Sequence, residues 1–271
     1  MSRPMFGASS ATALWDDARV EGAFTLAADG VVTAVARPWL FGFAGGQPDR
    51  SAGGPAMLVL AGGGYTQLMV EREGVAVARW LNTLGIHAYV LVHRFPTGDT
   101  GPLASRADAI RAMAMIRAAG HGTVGVVGLS SGGHLAACLL AEGAEVARPD
   151  VAVIGYAPIS TNAAGRTIVA DKPPLPPVEK QAMYDLLQPD AQLADKPPPT
   201  FIVYAGNDPV VPVANAYRLK DAIVAKGGAP DLHVFADAPH GFALDTPDLP
   251  VSLWPLLCAA WLRQTGFAPD S

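Results

Sequence analysis

Residues 124–136 constrain the fold of this chain more than any other stretch. An apolar strand-like run leads into Gly-Leu-Ser-Ser-Gly and then into a helix of small residues. Gly128 and Gly132 flank Ser130, because a side chain at either position would collide with the neighbouring strand or helix. This pattern predicts a tight strand-to-helix turn that lifts the Ser130 hydroxyl out of a sheet, beside backbone N–H groups at the helix start.

The composition indicates a protein with a large buried core. Half of the 271 residues are hydrophobic and 16% are charged, which argues against disorder. The net charge is −5 and there is no basic run, which argues against nucleic-acid binding by phosphate neutralisation. No apolar stretch reaches the roughly 18 residues of a membrane span, and residues 1–20 carry no signal-peptide pattern. We therefore expect a cytoplasmic protein with no membrane contact, and a homo-oligomer is compatible with the sequence.

The two cysteines and the histidines give no metal or cofactor signature. Cys138 and Cys258 lie in predicted helices and are best explained as small buried hydrophobes. No cysteine or histidine cluster has metal-ligand spacing, so we expect neither a metal nor a cofactor.

Short apolar runs and helical periodicities alternate along the chain. The alternation requires parallel crossovers, and it predicts an α/β fold with a mostly parallel central sheet and helices on both faces, in one domain over 1–271. Upstream, residues 24–26 and 31–35 are predicted to form a hairpin at the sheet edge. Ser105 is predicted to cap the second helix. The predicted strands are 57–60, 86–92, 124–129, 151–156, 200–205 and 232–235, and the helices are 70–84, 105–119, 213–226 and 249–265.

A proline-rich insertion interrupts this alternation. Residues 171–199 hold eight of the 24 prolines around a short helical segment near 179–187. Proline fixes φ and lacks an N–H donor, so the segment cannot be sheet or a long helix. We expect an insertion over 162–199 that forms a pocket wall or small lid at the carboxyl ends of the strands, where ligands bind. The alternative is a surface loop stiffened by proline.

Two residues downstream of Ser130 are suited to activate its hydroxyl. A serine becomes a nucleophile when a base removes its proton, and the base needs a carboxylate to fix its tautomer. Asp208 and His240 each follow a predicted strand, in the order that such a strand–turn–helix serine requires. Asp237 is the reserve candidate for the acid. His134, one helical turn after Ser130, is better explained as a hydrogen-bonded core histidine.

Three glycines follow the predicted strand 57–60. Gly62, Gly63 and Gly64 free the backbone to direct N–H groups toward one point, as an oxyanion-binding loop requires. The N–H of Ser131 is the predicted further donor, and Tyr65 is predicted to contact the substrate. The alternative is a flexible turn without a chemical role.

These motifs together resemble the α/β-hydrolase esterases related to acetylxylan esterases and to hormone-sensitive-lipase-type carboxylesterases. The resemblance covers residues 56–265. It is carried by Gly62-Gly63-Gly64-Tyr65, Glu73-Gly74-x-x-x-Ala78-x-Trp80-Leu81-Asn82-x-Leu84-Gly85, His93-Arg94-Phe95-Pro96, Gly128-Leu129-Ser130-Ser131-Gly132-Gly133-His134-Leu135-Ala136, Asp208-x-Val210-Val211-Pro212 and His240-Gly241-Phe242.

The resemblance implies a serine carboxylesterase that acts on a small-molecule ester. It implies Ser130 as nucleophile, Asp208 as acid and His240 as base, with oxyanion donors from Gly63, Gly64 and Ser131. The implied substrates are short acyl esters, among them O-acetyl groups of sugars or xylo-oligosaccharides. Ala61 stands where the related groups have His or Pro, and Ser131 where they usually have Ala.

Two other functions remain compatible with the sequence. A peptidase of the prolyl-oligopeptidase type shares this catalytic domain, although such enzymes carry a large extra domain for which this chain has no room. Cleavage of aminoacyl-naphthylamides but not of acyl esters would favour it. A non-catalytic scaffold that binds a ligand or partner would leave Ser130 unlabelled by a fluorophosphonate.

Overall fold

A computed structural model describes residues 5–15, 19–45, 53–168 and 173–269. The strands in this part of the chain are β1 (Ser10–Ala13), β2 (Phe24–Leu26), β3 (Val32–Val35), β4 (Trp39–Phe43), β5 (Ala56–Leu60), β6 (His87–Val92), β7 (Val124–Leu129), β8 (Ala152–Gly155), β9 (Thr200–Ala205) and β10 (Asp231–Phe235). Eight of them form one sheet in the order β1-β4-β6-β5-β7-β8-β9-β10. Along this order, the neighbours from β6 to β10 pair in parallel, and β1 and β4 add an antiparallel edge.

Helices connect the parallel strands, as the alternating pattern predicts. Strands β5, β7, β8 and β9 are buried along their whole length, which explains why they read as continuous apolar runs. The mostly parallel α/β fold is therefore confirmed. The helices are α1 (Ala76–Thr83), α2 (Ala104–Ala118), α3 (Ser131–Cys138), α4 (Val178–Leu186), α5 (Pro189–Gln192), α6 (Ala214–Ala225) and α7 (Trp254–Gln264), with a π-helical turn at Val70–Val75 before α1.

The amino-terminal part differs from the prediction in two ways. The hairpin β2–β3 forms, but it is a separate two-stranded sheet and not an edge of the main one. It contacts the glycine loop instead, where the Val32 N–H donates to the Leu68 carbonyl at 2.9 Å. The main sheet is extended by β4, whose five residues are all buried. Neither β1 nor β4 is predicted from the sequence.

The predicted cap at Ser105 is wrong. Helix α2 begins at Ala104, and the Ser105 hydroxyl donates to the Arg94 carbonyl at 2.6 Å. The hydroxyl that local propensity assigns to the helix cap is therefore used in a hydrogen bond to a residue distant in sequence.

The insertion follows β8 and ends before β9. It contains α4 and α5, and the short helix predicted near 179–187 corresponds to α4. Residues 169–172 of the predicted insertion lie outside the described residues, as do the first four residues of the chain. The boundaries of one domain over 1–271 with an insertion at 162–199 stay predictions.

Candidate active site

Ser130 lies at the turn between β7 and α3 in a rare backbone conformation. Its φ is 52° and its ψ is −125°, in a region that residues other than glycine avoid. Two glycines make the turn sterically accessible. A Cβ on Gly128 would lie 2.1 Å from the Gly132 carbonyl oxygen, and one on Gly132 would lie 2.0 Å from that of Leu60. The turn therefore closes only with glycine at both positions, and it directs the serine out of the strand.

The structure brings Ser130, His240 and Asp208 together from three loops. The Ser130 hydroxyl lies 3.1 Å from Nε2 of His240, and Nδ1 of His240 lies 2.7 Å from Oδ2 of Asp208. The Asp208 side chain is fully buried. Its Oδ1 accepts the backbone N–H groups of Val210 and Val211, both at 2.8 Å. The main chain thus fixes the carboxylate, which orients the imidazole toward the serine.

The competing residues have other partners. Asp237 accepts a hydrogen bond from the Asn207 amide, not from His240. His233, the other histidine in the last part of the chain, lies on β10 and stacks on Phe201 with ring centroids 4.6 Å apart.

His134 is fully buried between the Tyr65 hydroxyl, at 2.8 Å, and the Leu187 carbonyl, at 2.9 Å. Burial lowers its pKa to about 4. Its predicted place in the core is confirmed.

The glycine loop follows β5 and passes directly beside Ser130. The Gly64 N–H donates to the Ser131 hydroxyl at 2.9 Å, so the side chain at the unusual Ser131 position contacts the loop. Gly63 has a φ of 134°, and a Cβ there would lie 2.2 Å from the Gln67 carbonyl oxygen. The loop is consequently closed on itself and held against the start of α3, where the predicted oxyanion donors lie.

Tyr65 occupies a different place from the one its predicted role requires. It is 1% exposed and packs edge-on against His134 and Tyr184. It lines a cavity of about 430 Å³ beside the β2–β3 hairpin, and not the hollow that contains Ser130.

A hollow of about 200 Å³ opens at Ser130. The sheet side supplies the glycine loop, the serine turn, Pro158 after β8 and the loop after Asp208, and the insertion supplies the remaining wall. Proline-rich sequence has no periodicity that would identify such wall residues in advance. The hollow is lined by Gly64, Ser130, Ser131, Pro158, Asn162, Leu175, Lys180, Tyr184, Val210 and Val211.

Two buried polar residues beside the site had no role assigned from the sequence. Glu73 is 3% exposed, and its carboxylate accepts the Gly62 N–H at 2.7 Å and the Tyr156 hydroxyl at 3.0 Å. Burial raises the pKa of Glu73 and that of Tyr156. The motif that begins with Glu73-Gly74 was the one signal in the sequence for Glu73.

The described residues contain no group of three or more His, Cys, Asp or Glu side chains arranged to hold a metal ion. None of the helices in the described ranges is long and apolar enough to cross a bilayer.

A serine on a strand-to-helix turn, within hydrogen-bond distance of a histidine and beside a mostly parallel sheet, defines the α/β-hydrolase class. The family model of the dienelactone hydrolase family matches residues 97–265. The chain belongs to the dienelactone hydrolase family, which confirms the α/β-hydrolase resemblance.

Two curated relatives are longer than this chain. It is 27% identical to the acetylxylan esterase of Xylanibacter ruminicola over 209 residues, which is 71% of this chain and 42% of that protein. It is 29% identical to endo-1,4-beta-xylanase B of Butyrivibrio fibrisolvens over 211 residues, which is 69% of this chain and 32% of that protein. The chain thus spans less than half the length of both relatives.

Solved structures match over nearly the full length. The acetyl ester-xyloside bifunctional hydrolase of Caldicellulosiruptor lactoaceticus superposes with a TM-score of 0.74 at 28% identity, covering 96% of this chain and 97% of that one. The Thermogutta terrifontis esterase Est2 gives a TM-score of 0.77 at 17% identity, covering 99% and 96%, and supports the fold alone.

Proposed function

We propose that this chain is a serine carboxylic-ester hydrolase with Ser130 as nucleophile. The continuous hydrogen-bond chain from Ser130 through His240 to the buried Asp208 is the observation that carries the proposal. The stability of the fold does not require a serine in a strained conformation, an imidazole and a buried carboxylate in this order. The names of the related acetylxylan esterase and acetyl ester-xyloside hydrolase support the same chemistry.

The proposed reaction has two halves that share one proton carrier. Ser130 Oγ attacks the ester carbonyl carbon while His240 Nε2 takes the hydroxyl proton, and Asp208 stabilises the imidazolium. The N–H groups of Gly63 and Ser131 are the proposed donors to the oxyanion, and the Gly64 N–H joins them when it exchanges the Ser131 hydroxyl for the oxyanion. Collapse breaks the C–O bond, and His240 protonates the departing alcohol. Water then attacks the acyl-enzyme, with His240 again as the base, and releases the acid and the free serine.

The proposed substrates are esters with a short acyl group. A hollow of about 200 Å³ walled by Leu175, Tyr184 and Val211 supports an acetyl-sized group at Ser130 more than a long chain. An acetyl group on a xylose-type sugar is the proposed natural substrate, because two relatives are named for acetyl esters of xylan or xylosides.

The decisive experiment compares the wild type with Ser130→Ala on p-nitrophenyl acetate. We expect kcat to fall by about 10⁶-fold, since removal of a nucleophilic serine costs that much in a comparable hydrolase. Circular dichroism verifies that the variant is folded. Undiminished hydrolysis by the folded variant would exclude this function.

A second assay tests the substrate class. Acetylated xylo-oligosaccharides, p-nitrophenyl esters of increasing acyl length and aminoacyl-naphthylamides are compared at equal enzyme. Highest kcat/KM on acetyl esters is expected. Preferential cleavage of the naphthylamides would instead indicate a peptidase.

A further inference from the structure

Glu73 lies on a π-helical turn, a geometry frequent at functional sites. The turn directs this side chain into the core, where a carboxylate is costly unless its oxygens are hydrogen-bonded. Both oxygens have partners. Oε2 accepts the Gly62 N–H at 2.7 Å and Oε1 accepts the Tyr156 hydroxyl at 3.0 Å.

The first partner belongs to the predicted oxyanion loop. Gly62 directly precedes Gly63 and Gly64, whose N–H groups are the proposed oxyanion donors. A Cβ on Gly62 would lie 2.5 Å from Oε2 of Glu73 and 2.7 Å from the Cβ of Ser130. The Glu73 carboxylate and Ser130 therefore both lie directly against Gly62 of the oxyanion loop.

The second partner contacts the histidine loop. The Tyr156 ring lies edge-on to His240, with centroids 5.3 Å apart at an angle of 76°. Its hydroxyl also accepts the Ala243 N–H at 3.3 Å. Glu73 thus connects to the oxyanion loop through Gly62 and to the His240 loop through Tyr156.

The neighbouring residue on the turn holds the same histidine loop. Arg72 forms a two-pronged ion pair with Asp245, at 2.7 and 2.9 Å. Charged or titratable groups that act on Glu73 include Arg72 on its own turn, Tyr156 after β8, and His240. Two consecutive side chains of one turn connect to residues 240–245.

We propose that Glu73 is a positioning residue for the reaction, which holds the oxyanion loop through Gly62 and the His240 ring through Tyr156. The inference rests on the proposed function. A carboxylate that only stabilised the fold would change the denaturation midpoint and leave the rates of the folded enzyme unaltered.

The test measures the rate at which a fluorophosphonate labels Ser130, because labelling needs an active serine and no knowledge of the natural substrate. Glu73→Gln keeps the shape but replaces one acceptor oxygen by an NH₂ group, and Tyr156→Phe removes the hydroxyl. We expect each to slow labelling on the order of 10- to 100-fold, as small misplacements of reacting groups do. On p-nitrophenyl acetate the loss should fall on kcat, with KM little changed.

The double variant separates a shared path from two independent losses. If Tyr156 acts through its hydrogen bond with Glu73, the two substitutions remove the same interaction. Ser130 of the double variant should then be labelled no more slowly than in the slower single variant. Asp108→Asn is the matched control, since Asp108 is also a fully buried carboxylate that accepts a backbone N–H, from Arg94 at 2.9 Å. It should lower stability and leave the labelling rate unaltered.

Each remaining outcome has a definite meaning. Wild-type labelling rates in the Glu73 and Tyr156 variants would overturn the inference and leave the proposed function intact. A folded wild type that is not labelled at Ser130 would overturn the proposed function and the inference with it. If Glu73→Gln does not fold, the labelling rate of Tyr156→Phe decides.

Discussion

The sheet side and the insertion side of the hollow at Ser130 are held by different kinds of contact. On the sheet side, β7 and β9 are buried along their whole length, and backbone N–H groups hold Asp208. On the insertion side, side chains make the ties near the hollow, and backbone hydrogen bonds join the end of the insertion, at 192–194, to residues 140–142. The Gln181 amide bonds the Asn162 carbonyl and the Leu175 N–H, and His134 bonds the Leu187 carbonyl.

The difference indicates how the two sides divide their tasks. Main-chain hydrogen bonds in a buried sheet leave little freedom, and that rigidity suits atoms that must meet within hydrogen-bond distance. Side-chain ties adapt more readily, which suits a wall that selects the acyl group. Exposed apolar residues on the insertion, such as Val178 at 75% and Leu186 at 51%, agree with its lower degree of packing.

The largest predicted effect tests the sheet side. Asp208→Asn should lower kcat by about 10⁴-fold with little loss of stability, because the amide can still accept the two backbone N–H groups but holds the imidazole in the wrong tautomer. The matched control is Asp237→Asn, which should retain nearly full activity. A greater fall in kcat in the Asp237 variant would assign the role of the acid to Asp237. It would also show that the hydrogen bonds which hold Asp208 do not serve the reaction.

A second prediction concerns His134, which joins the sheet side to the insertion. Its pKa is about 4 in the folded state, below the ordinary value of 6.5, because burial disfavours the charged form. As the pH falls from 6.5 to 4, the unfolded chain binds a proton that the folded chain does not. The neutral, buried His134 therefore adds its whole contribution to the free energy of unfolding above pH 6.5. Acidification to pH 4 should lower that free energy by about 3 kcal/mol.

Urea denaturation at pH 7 and pH 4 measures this loss. The variant His134→Gln should be less stable at pH 7 but less sensitive to acid. Burial also lowers the pKa of His93, and that residue contributes equally in both proteins. The difference between wild type and variant thus isolates His134. A constant difference between the two pH values would show that His134 does not titrate in this range.

The part of the fold that sequence reasoning predicted has local causes. Continuous apolar runs identified β5, β7 and β9, and the order of Ser130, Asp208 and His240 along the chain identified the site. Each of these signals is either a run of adjacent residues or the order in which residues that follow strands occur along the chain. The missed features depend on long-range contacts. Strand β4 is fixed by pairing with β6, and Gly42 interrupts its apolar run.

The same reason explains what was missed at the site. Glu73 and Tyr156 are 83 positions apart, and their contact exists only after β5 and β8 take their places in the sheet. Tyr65 follows the glycine loop in sequence, yet its ring turns to His134 in the core. Sequence adjacency identified the loop, but it could not determine the direction of the next side chain.

A third prediction tests the insertion side. Leu175→Ala should widen the hollow and raise the ratio of kcat/KM for hexanoate over acetate p-nitrophenyl esters by about 10-fold, the value of a few methylene contacts. The activity on acetate should change little, because the serine, histidine and aspartate are untouched. Val178→Ala is the matched control on the same insertion, since Val178 does not line the hollow. An equal change in both variants would mean that the insertion does not select the acyl group.

The smallest predicted effect compares the two cysteines, of which Cys138 contacts a residue that is bonded to the insertion. Cys138 lies against His134 beneath the insertion, and Cys258 lies on α7. Burial raises the pKa of the Cys138 thiol to about 12 and also raises that of Cys258, so neither forms the reactive thiolate at neutral pH. We expect no labelling of either thiol by 5,5′-dithiobis(2-nitrobenzoic acid) in the folded protein and full labelling in urea, with peptides identified by mass spectrometry. Labelling of Cys138 ahead of Cys258 would mean that the insertion opens while the sheet side stays closed. The wall would then act as a moving lid.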